Sequence, residues 1–453
     1  MDYCILFFSL LMPLVIGWVL LDCLTKSSSY FYIGEKIFIA FGLGFGLMTI
    51  TMFYFSLFGI DFDISKIIIL NFFPFAAFAI YLKHRRHGLV KNDRSITLTH
   101  IGNERWSLFE IFLVIFLILN TSLVIVRTLL VEYDIWDGWA VWAFKAKIYF
   151  VHHTIPWEKY LEFSKVWGNW DYPHHVPLME AWILLCLGYW NDQVIRIIFP
   201  IFFLGICVCL YYLFRRYTSR QVSLIGSFFI STSTALQTWT IGAITEPIIL
   251  FYYLMSVVFI LRWRVERHQI FIYISAIFAG LAAWTKNEGI AYLLFNFILI
   301  FFLSPERKNS EKIKTGMHYA VIILIIIGWW LIFRHAMGLE NLLINSNRLA
   351  VEQVFSNIPR LKEAILLLFI YFFDFNYFNV IWILFFIFVF LNRRKCLKFP
   401  QVDLLTLISF HILLILAIRL LDTTSLFLTD AMGRLLIAPS ILSIMYVILL
   451  TNE

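Results

Sequence analysis

Leu108-Phe-Glu-Ile-Phe-Leu-Val-Ile-Phe-Leu-Ile-Leu-Asn-Thr-Ser-Leu-Val-Ile-Val-Arg-Thr-Leu-Leu130 is followed, two residues later, by Tyr133-Asp-Ile-Trp-Asp-Gly-Trp-Ala-Val-Trp-Ala-Phe-Lys-Ala-Lys147. The first stretch is long enough to cross the ~30 Å hydrocarbon core of a bilayer as a helix rising ~1.5 Å per residue. The second packs two carboxylates, three tryptophans and two lysines into one segment just beyond it. Wound at 3.6 residues per turn, it sets Asp134, Asp137, Val141 and Lys145 on one stripe. Trp139 and Trp142 flank that stripe, a placement suited to the boundary between lipid and water. Acids, an amine and aromatic rings thus gather at a membrane surface.

The rest of the chain agrees with a membrane setting. Of its 453 residues 61% are hydrophobic and only 14% charged, against about 25% charged in ordinary soluble domains. The mean hydropathy is +0.83. Backbone groups in lipid must be satisfied within the segment, which leaves helices or closed barrels. The apolar runs far exceed the ~10 residues of a barrel strand, so the expected class is an all-α polytopic membrane protein. The six cysteines show no CxxC and no paired spacing, which argues against a disulfide framework or a zinc site. The first apolar run lacks a basic leader and a small-residue cleavage site, and reads as a retained helix.

Apolar runs fall near 5–24, 35–58, 64–82, 108–130, 194–214, 221–238, 245–261, 269–284, 288–304, 317–334, 377–391, 401–420 and 433–450, about thirteen crossings. The net charge of +7 is spread over short loops between them, so it reports topology and not nucleic-acid binding. Five basic clusters, around 83–105, 215–220, 262–267, 307–314 and 393–395, are expected on the cytoplasmic side. That sidedness requires an odd number of crossings between 106 and 215. The apolar segment 177–190 then reads as a juxtamembrane or re-entrant element, and 361–373 as an interfacial helix. Segments 131–193, the turns near 240–246 and 285–289, and the loops 335–376 and 421–433 gather on the outer side. Three regions follow: added N-terminal helices (1–82), a cytoplasmic basic loop (83–107), and a main unit (108–453) with its outer loop (131–193).

The candidate chemistry lies in those outer segments. Asp134 and Asp137 suit a general base acting on a hydroxyl or amine, or simply a solvated cap on the preceding span. A metal could share the pair, although two carboxylates select none. Lys145 shares their stripe and could meet a phosphate, whereas Lys147 suits snorkelling to the interface. Asp171-Tyr-Pro-His-His-Val-Pro-Leu-Met-Glu180 opens a helix, with Pro177 in its first turn. Tyr172, His174 and His175 are candidates for substrate hydrogen bonding; adjacent histidines cannot share a metal from a regular helix. Glu246 precedes Pro247 at a helix start, where the helix dipole favours an anion. Lys286 and Glu288 sit in another outer turn and could pair with each other. Arg434, near the start of the last span, needs an anion. Asp61-Phe-Asp63 lies in a short loop apart from these.

The layout resembles the GT-C glycosyltransferase superfamily, membrane enzymes that use polyprenyl-phosphate sugars and include protein O-mannosyltransferases and lipid A aminoarabinose transferases. The resemblance spans about residues 105–450 and rests on the order of several short motifs. It makes Asp137, with Asp134 as the alternative, the catalytic acid of the first outer loop. Asp171-Tyr-Pro-His-His-Val-Pro-Leu178 resembles a Tyr-Pro-Pro-Leu-like segment. Thr245-Glu-Pro247 parallels a second acid at a span start, Thr285-Lys-Asn-Glu-Gly289 a Thr-Lys-Gly-like turn, and Arg434 an arginine near the last span. Two departures stand out: the usual Asp-Glu pair is Asp137-Gly138 here, and the second acid is Glu246 instead of aspartate.

The implied activity is transfer of a sugar from a polyprenyl-phosphate donor to a lipid, glycan or protein acceptor at the outer, periplasmic face, with inversion. Asp137, Asp134 and Glu246 would be catalytic. Lys145, Lys286 and Arg434 would bind the donor phosphate. Tyr172, His174, His175, Glu288 and Trp142 would touch substrate. No metal ligand set and no cofactor are indicated, a divalent cation being the one cofactor the carboxylates admit. The expected location is a bacterial inner membrane. A transporter or flippase would instead need charged groups and broken helices near the midplane. A glycan polymerase or ligase would carry arginine-rich outer loops late in the chain.

Overall fold

The computed structural model describes residues 2–25, 30–86, 105–132, 135–164, 169–304, 308–339, 357–421 and 428–451. Every regular element among them is helical. In chain order these are α1 (Asp2–Thr25), α2 (Ile33–Leu57), α3 (Ile64–Arg86) and α4 (Leu108–Leu130), then a π-helix (Asp137–Ala143). Next come α5 (Phe144–His152), α6 (Trp157–Ser164), α7 (His175–Leu187), α8 (Ile198–Arg215), α9 (Arg220–Ser231), α10 (Thr234–Ile241) and α11 (Glu246–Glu266). The chain closes with α12 (Gln269–Thr285), α13 (Glu288–Phe302), α14 (Asn309–Ala336), α15 (Ile358–Phe372), α16 (Phe375–Phe378), α17 (Ile381–Leu391), α18 (Gln401–Leu421), α19 (Leu428–Leu435) and α20 (Ile437–Leu450).

Nine helices among the described residues are long and apolar enough to cross a membrane. They correspond to nine of the thirteen expected spans. Three more, at 269–284, 288–304 and 377–391, are shorter apolar helices. The last, expected over 221–238, is broken between α9 and α10. The break lies in Ser231-Thr-Ser-Thr234, where hydroxyls compete for the backbone: Thr232 Oγ1 donates to Phe228 O at 2.8 Å. The carbonyls it frees are not left bare. Ser231 O accepts from Asn120 at 2.9 Å and from Gln237 at 2.6 Å, and Thr232 O accepts from Asn379 at 2.7 Å. Such satisfaction is what non-helical backbone at membrane depth requires.

The outer helices carry their lipid face in their sequence. On α4, Leu108, Phe112, Ile115, Leu119, Leu123, Val126 and Leu130 are exposed, while Leu113, Val124 and Thr128 are buried. An apolar stripe of that length turned outward needs a hydrocarbon solvent. By contrast α11 is buried along nearly its whole length and forms the axis of the bundle. The segment 1–82 is joined closely to that centre. On α2, Gly42 O accepts a hydrogen bond from Tyr252 at 2.9 Å, and Thr49 meets both His175 (2.7 Å) and Trp284 (3.2 Å). Helices α1 and α2 cross at Gly17 and Gly44, where a Cβ would stand 1.8 Å from Ala40 O and 1.7 Å from Pro13 O. Small residues let the backbones touch there.

Helix α7, expected as juxtamembrane or re-entrant, spans only ~20 Å, too short for a full crossing. Every residue of it except Cys186 is buried. The helix is therefore enclosed by the bundle and does not lie on the membrane surface.

One end of the bundle carries the arginines of the 215–220 and 262–267 basic clusters. There, Arg216 pairs with Glu35 and Arg264 with Asp403, Arg262 reaches Glu266 at 2.7 Å and Tyr30 O at 3.0 Å, and Arg220 meets Glu110 at 2.9 Å. Glu246 begins α11, and Arg262 and Glu266 end it, which sets Glu246 ~30 Å away from this basic end.

Candidate active site

At the opposite end, residues far apart in sequence converge on one cavity of about 290 Å³. Its lining includes Asp137, Trp142, Asn169, Tyr172, Glu246, Lys286, Glu288 and Arg434, with Ile249, Tyr292, Ile418 and Leu435 on the bundle side. The lining thus combines charged side chains with apolar ones.

Local structure explains how each charge arrives there. Glu246 and Glu288 are the first residues of α11 and α13, where the exposed amides favour a carboxylate. Pro247 fits the first turn of α11 because its missing N–H would have no helical partner. Arg434 lies in the last turn of α19, where the dipole favours a cation. Lys286 follows the end of α12 in a turn that folds tightly back: a Cβ on Gly289 would stand 2.2 Å from Ala282 O. Only glycine permits that approach.

The charges form one chain of ion pairs. Lys286 Nζ lies 3.0 Å from Glu246 Oε1 and 3.0 Å from Glu288 Oε1. Arg434 Nη1 lies 2.5 Å from Asp137 Oδ2 and 3.6 Å from Glu246 Oε1. The Arg434 guanidinium also stacks over Trp239 at 4.7 Å. Burial pulls the Lys286 ammonium toward its neutral form, but Glu246 and Glu288 outweigh that and hold its pKa above the ordinary lysine value. Three carboxylates and two cations therefore share the site. Among the described residues no group of three His, Cys, Asp or Glu side chains could hold a metal ion. Asp137, Glu246 and Glu288 are each turned onto a cation instead.

Asp137 begins the π-helix, whose i→i−5 pattern appears in the bond from Phe144 N to Trp139 O. Such bulges occur often at functional sites. The wider winding breaks the 3.6-residue stripe expected from sequence: Asp137, Val141 and Trp142 line the cavity, but Lys145 does not. Lys145 is instead wholly buried, its Nζ donating to Asn169 O at 2.8 Å. It lies 5.6 Å from the Trp142 ring centre and 5.2 Å from that of Trp170. Burial brings its pKa down to about 7, opposed by the nearby Asp171 carboxylate. Asp134 lies outside the described residues.

His174 and His175 also lie outside the lining. His174 meets the Tyr149 hydroxyl at 2.7 Å and the Tyr160 hydroxyl at 3.3 Å. His175 meets Thr49 at 2.7 Å and Tyr252 at 3.0 Å. The Tyr252 hydroxyl donates to Gly42 O and that of Thr49 to Gly46 O at 3.1 Å. Both rings thus fasten α7 to its neighbours. The Asp61-Phe-Asp63 loop stays apart, Asp63 capping Lys66 N at 2.9 Å.

Several residues in or beside the cavity carried no sequence argument. Tyr292 is one turn along α13 from Glu288, a spacing that could have indicated it. Trp239 is the last aromatic before Glu246. Asn287 donates to Asp171 at 2.9 Å and accepts from Arg334 at 3.2 Å, bracing the Lys286 turn against the outer loop. No local signal marks that bridge.

Residues 175–333 match the family model described as dolichyl-phosphate-mannose-protein mannosyltransferase. The matched segment contains Glu246, Lys286 and Glu288, while Asp137 and Arg434 lie outside it. No curated protein and no solved structure matches the chain. The family match, over about a third of the chain, bears out the resemblance to the GT-C superfamily and supports a membrane glycosyltransferase of that type.

Proposed function

We propose that the protein transfers a sugar from a polyprenyl-phosphate donor to a hydroxyl or amine acceptor at the outward face of the membrane. The observation that carries this reading is the convergence of Asp137, Glu246, Lys286, Glu288 and Arg434 on one cavity with an apolar wall. A lipid-linked donor needs both halves: apolar surface for its first isoprene units and cations for its phosphate.

In this reading Lys286 and Arg434 receive the phosphate and stabilise it as it leaves. Asp137 takes the proton from the acceptor as that group attacks the anomeric carbon. The C–O bond to phosphate breaks as the new glycosidic bond forms, so one direct displacement inverts the centre. Glu246 and Glu288 hold Lys286 in place, and their charge suits the oxocarbenium-like transition state. Trp142 and Tyr172 line the cavity and would touch sugar or acceptor. A flippase fits less well: the cavity charges sit at helix ends, not at the midplane where transporters bind. The basic loops support the sidedness of this reading, and the resemblance to the GT-C superfamily implies a bacterial inner membrane.

The test is sugar transfer in membranes supplied with polyprenyl-phosphate sugar. Asp137→Asn should express and fold normally yet lose roughly 10²–10⁴-fold in rate, the usual contribution of a general base. Full transfer by that variant would overturn the mechanism. Loss in Asp134→Asn alone would move the base to Asp134.

A further inference from the structure

The cation assigned to the donor phosphate already holds the proposed base. Arg434 Nη1 touches Asp137 Oδ2 at 2.5 Å, and Lys286 is engaged by two carboxylates. Arg434 Nε is buried without a hydrogen-bond partner, which leaves the Nη nitrogens to meet the cavity that Asp137 also lines. One face of the group is covered by Trp239. A phosphate that enters this cavity therefore meets Arg434 beside Asp137.

We propose that Arg434 is the positioning residue of Asp137, and that Asp137 and the donor phosphate compete for its Nη1, so that donor capture releases the base. This rests on reading Arg434 as a phosphate-binding residue.

Exposure indicates which carboxylate yields. The Asp137 side chain is 29% exposed and that of Glu246 only 7%. Asp137 can be rehydrated as it swings away, whereas Glu246 would remain a buried charge without its neighbour. Glu246 therefore stays as the fixed partner and Asp137 as the mobile one. The consequence is an order of events: the base becomes free for the acceptor only once phosphate occupies Arg434.

The experiment measures binding of a sugar-free polyprenyl monophosphate to the purified full chain in zwitterionic nanodiscs, for wild type, Asp137→Asn, Arg434→Gln and the double variant. Removing the competitor should tighten binding in Asp137→Asn by about tenfold, the scale of one charge-assisted hydrogen bond. Arg434→Gln should bind weakly, and Asp137→Asn should add nothing in that background. Unchanged or weaker binding by Asp137→Asn overturns the proposal. So does equal tightening with and without Arg434, which would report general charge repulsion. Failure of wild type to bind the probe at all would overturn the donor reading itself, a separate result. Should Asp137→Asn unfold, Asp137→Ser carries the same expectations.

Discussion

Lys286 stands midway between two carboxylates, 3.0 Å from Glu246 and 3.0 Å from Glu288. The two partners are not equivalent: the Glu246 side chain is 7% exposed and that of Glu288 23%. Removing the amine in Lys286→Met would strand Glu246 with only Arg434 nearby. Breaking a buried pair in this way costs about 3–5 kcal/mol. Glu288→Gln gives up a pair that water can partly replace, at about 0.2–1 kcal/mol. Thermal unfolding of the purified variants in one detergent should show that order. Equal losses would mean that Glu246 draws its stability from elsewhere.

Arg434→Lys keeps the charge but loses the planar guanidinium that stacks on Trp239 while its Nη1 reaches Asp137 and Glu246. An ammonium has neither the flat face that stacks on the ring nor the directed N–H geometry of the guanidinium. Transfer should fall at least tenfold with little change in protein level, about the 1.4 kcal/mol of one charged hydrogen bond. Wild-type rates in this variant would take geometry out of the role assigned to Arg434.

The crossing of α1 and α2 should be intolerant of a single methyl group. Gly17→Ala drives a Cβ into Ala40 O, a backbone atom that cannot swing aside. Overpacking of this kind costs about 1–3 kcal/mol. Gly328 on α14 has nothing closer than Leu324 Cβ at 4.0 Å, so Gly328→Ala serves as the control. It should be neutral or gain up to about 1 kcal/mol from helix propensity. A melting temperature that drops for Gly328→Ala and not for Gly17→Ala would contradict the packing.

Lys145 predicts a stability change with pH. Its pKa falls from the ordinary 10.5 to about 7 on burial. Between those values the unfolded chain binds a proton that the folded chain does not, so stability rises with pH. The slope approaches ~1.4 kcal/mol per pH unit for one proton. The difference in melting temperature between wild type and Lys145→Met should move in favour of wild type from pH 7 to pH 9. A flat difference would place the Lys145 titration outside that window.

Sidedness can be read by labelling in a background without exposed Cys4. Asp61 lies in the loop where Phe62 N meets His153 O at 2.6 Å, beside the outer segments. Arg267 caps α11 at the basic end. A membrane-impermeant thiol reagent should reach Asp61→Cys from outside and spare Arg267→Cys. The reverse pattern would turn the cavity toward the cytoplasm.

Much of this protein was legible in the sequence. Long apolar runs fix helices by themselves, because a backbone in lipid has no water to bond and must close its hydrogen bonds locally. Glu246 could be placed at a helix start of matching dipole for the same local reason, whereas Arg434, expected near the start of the last span, lies in the last turn of α19. The break at Ser231–Thr234 was also local chemistry, yet it was hidden by the apolar residues around it. Its freed carbonyls find Asn120 and Asn379, partners from α4 and from beyond α16.

Tertiary structure alone decided the site. The sequence stripe joined Asp137 to Lys145, but a π-helix changed the winding, and burial turned Lys145 onto Asn169. Asp137 met Arg434 instead, from the far end of the chain. The histidines, adjacent and polar, were spent on fastening α7 to Thr49, Tyr149, Tyr160 and Tyr252. The local pair Lys286–Glu288 was legible, but Lys286–Glu246 and Arg434–Asp137 join residues far apart in sequence through helix packing, and local sequence carries no record of what a helix will face.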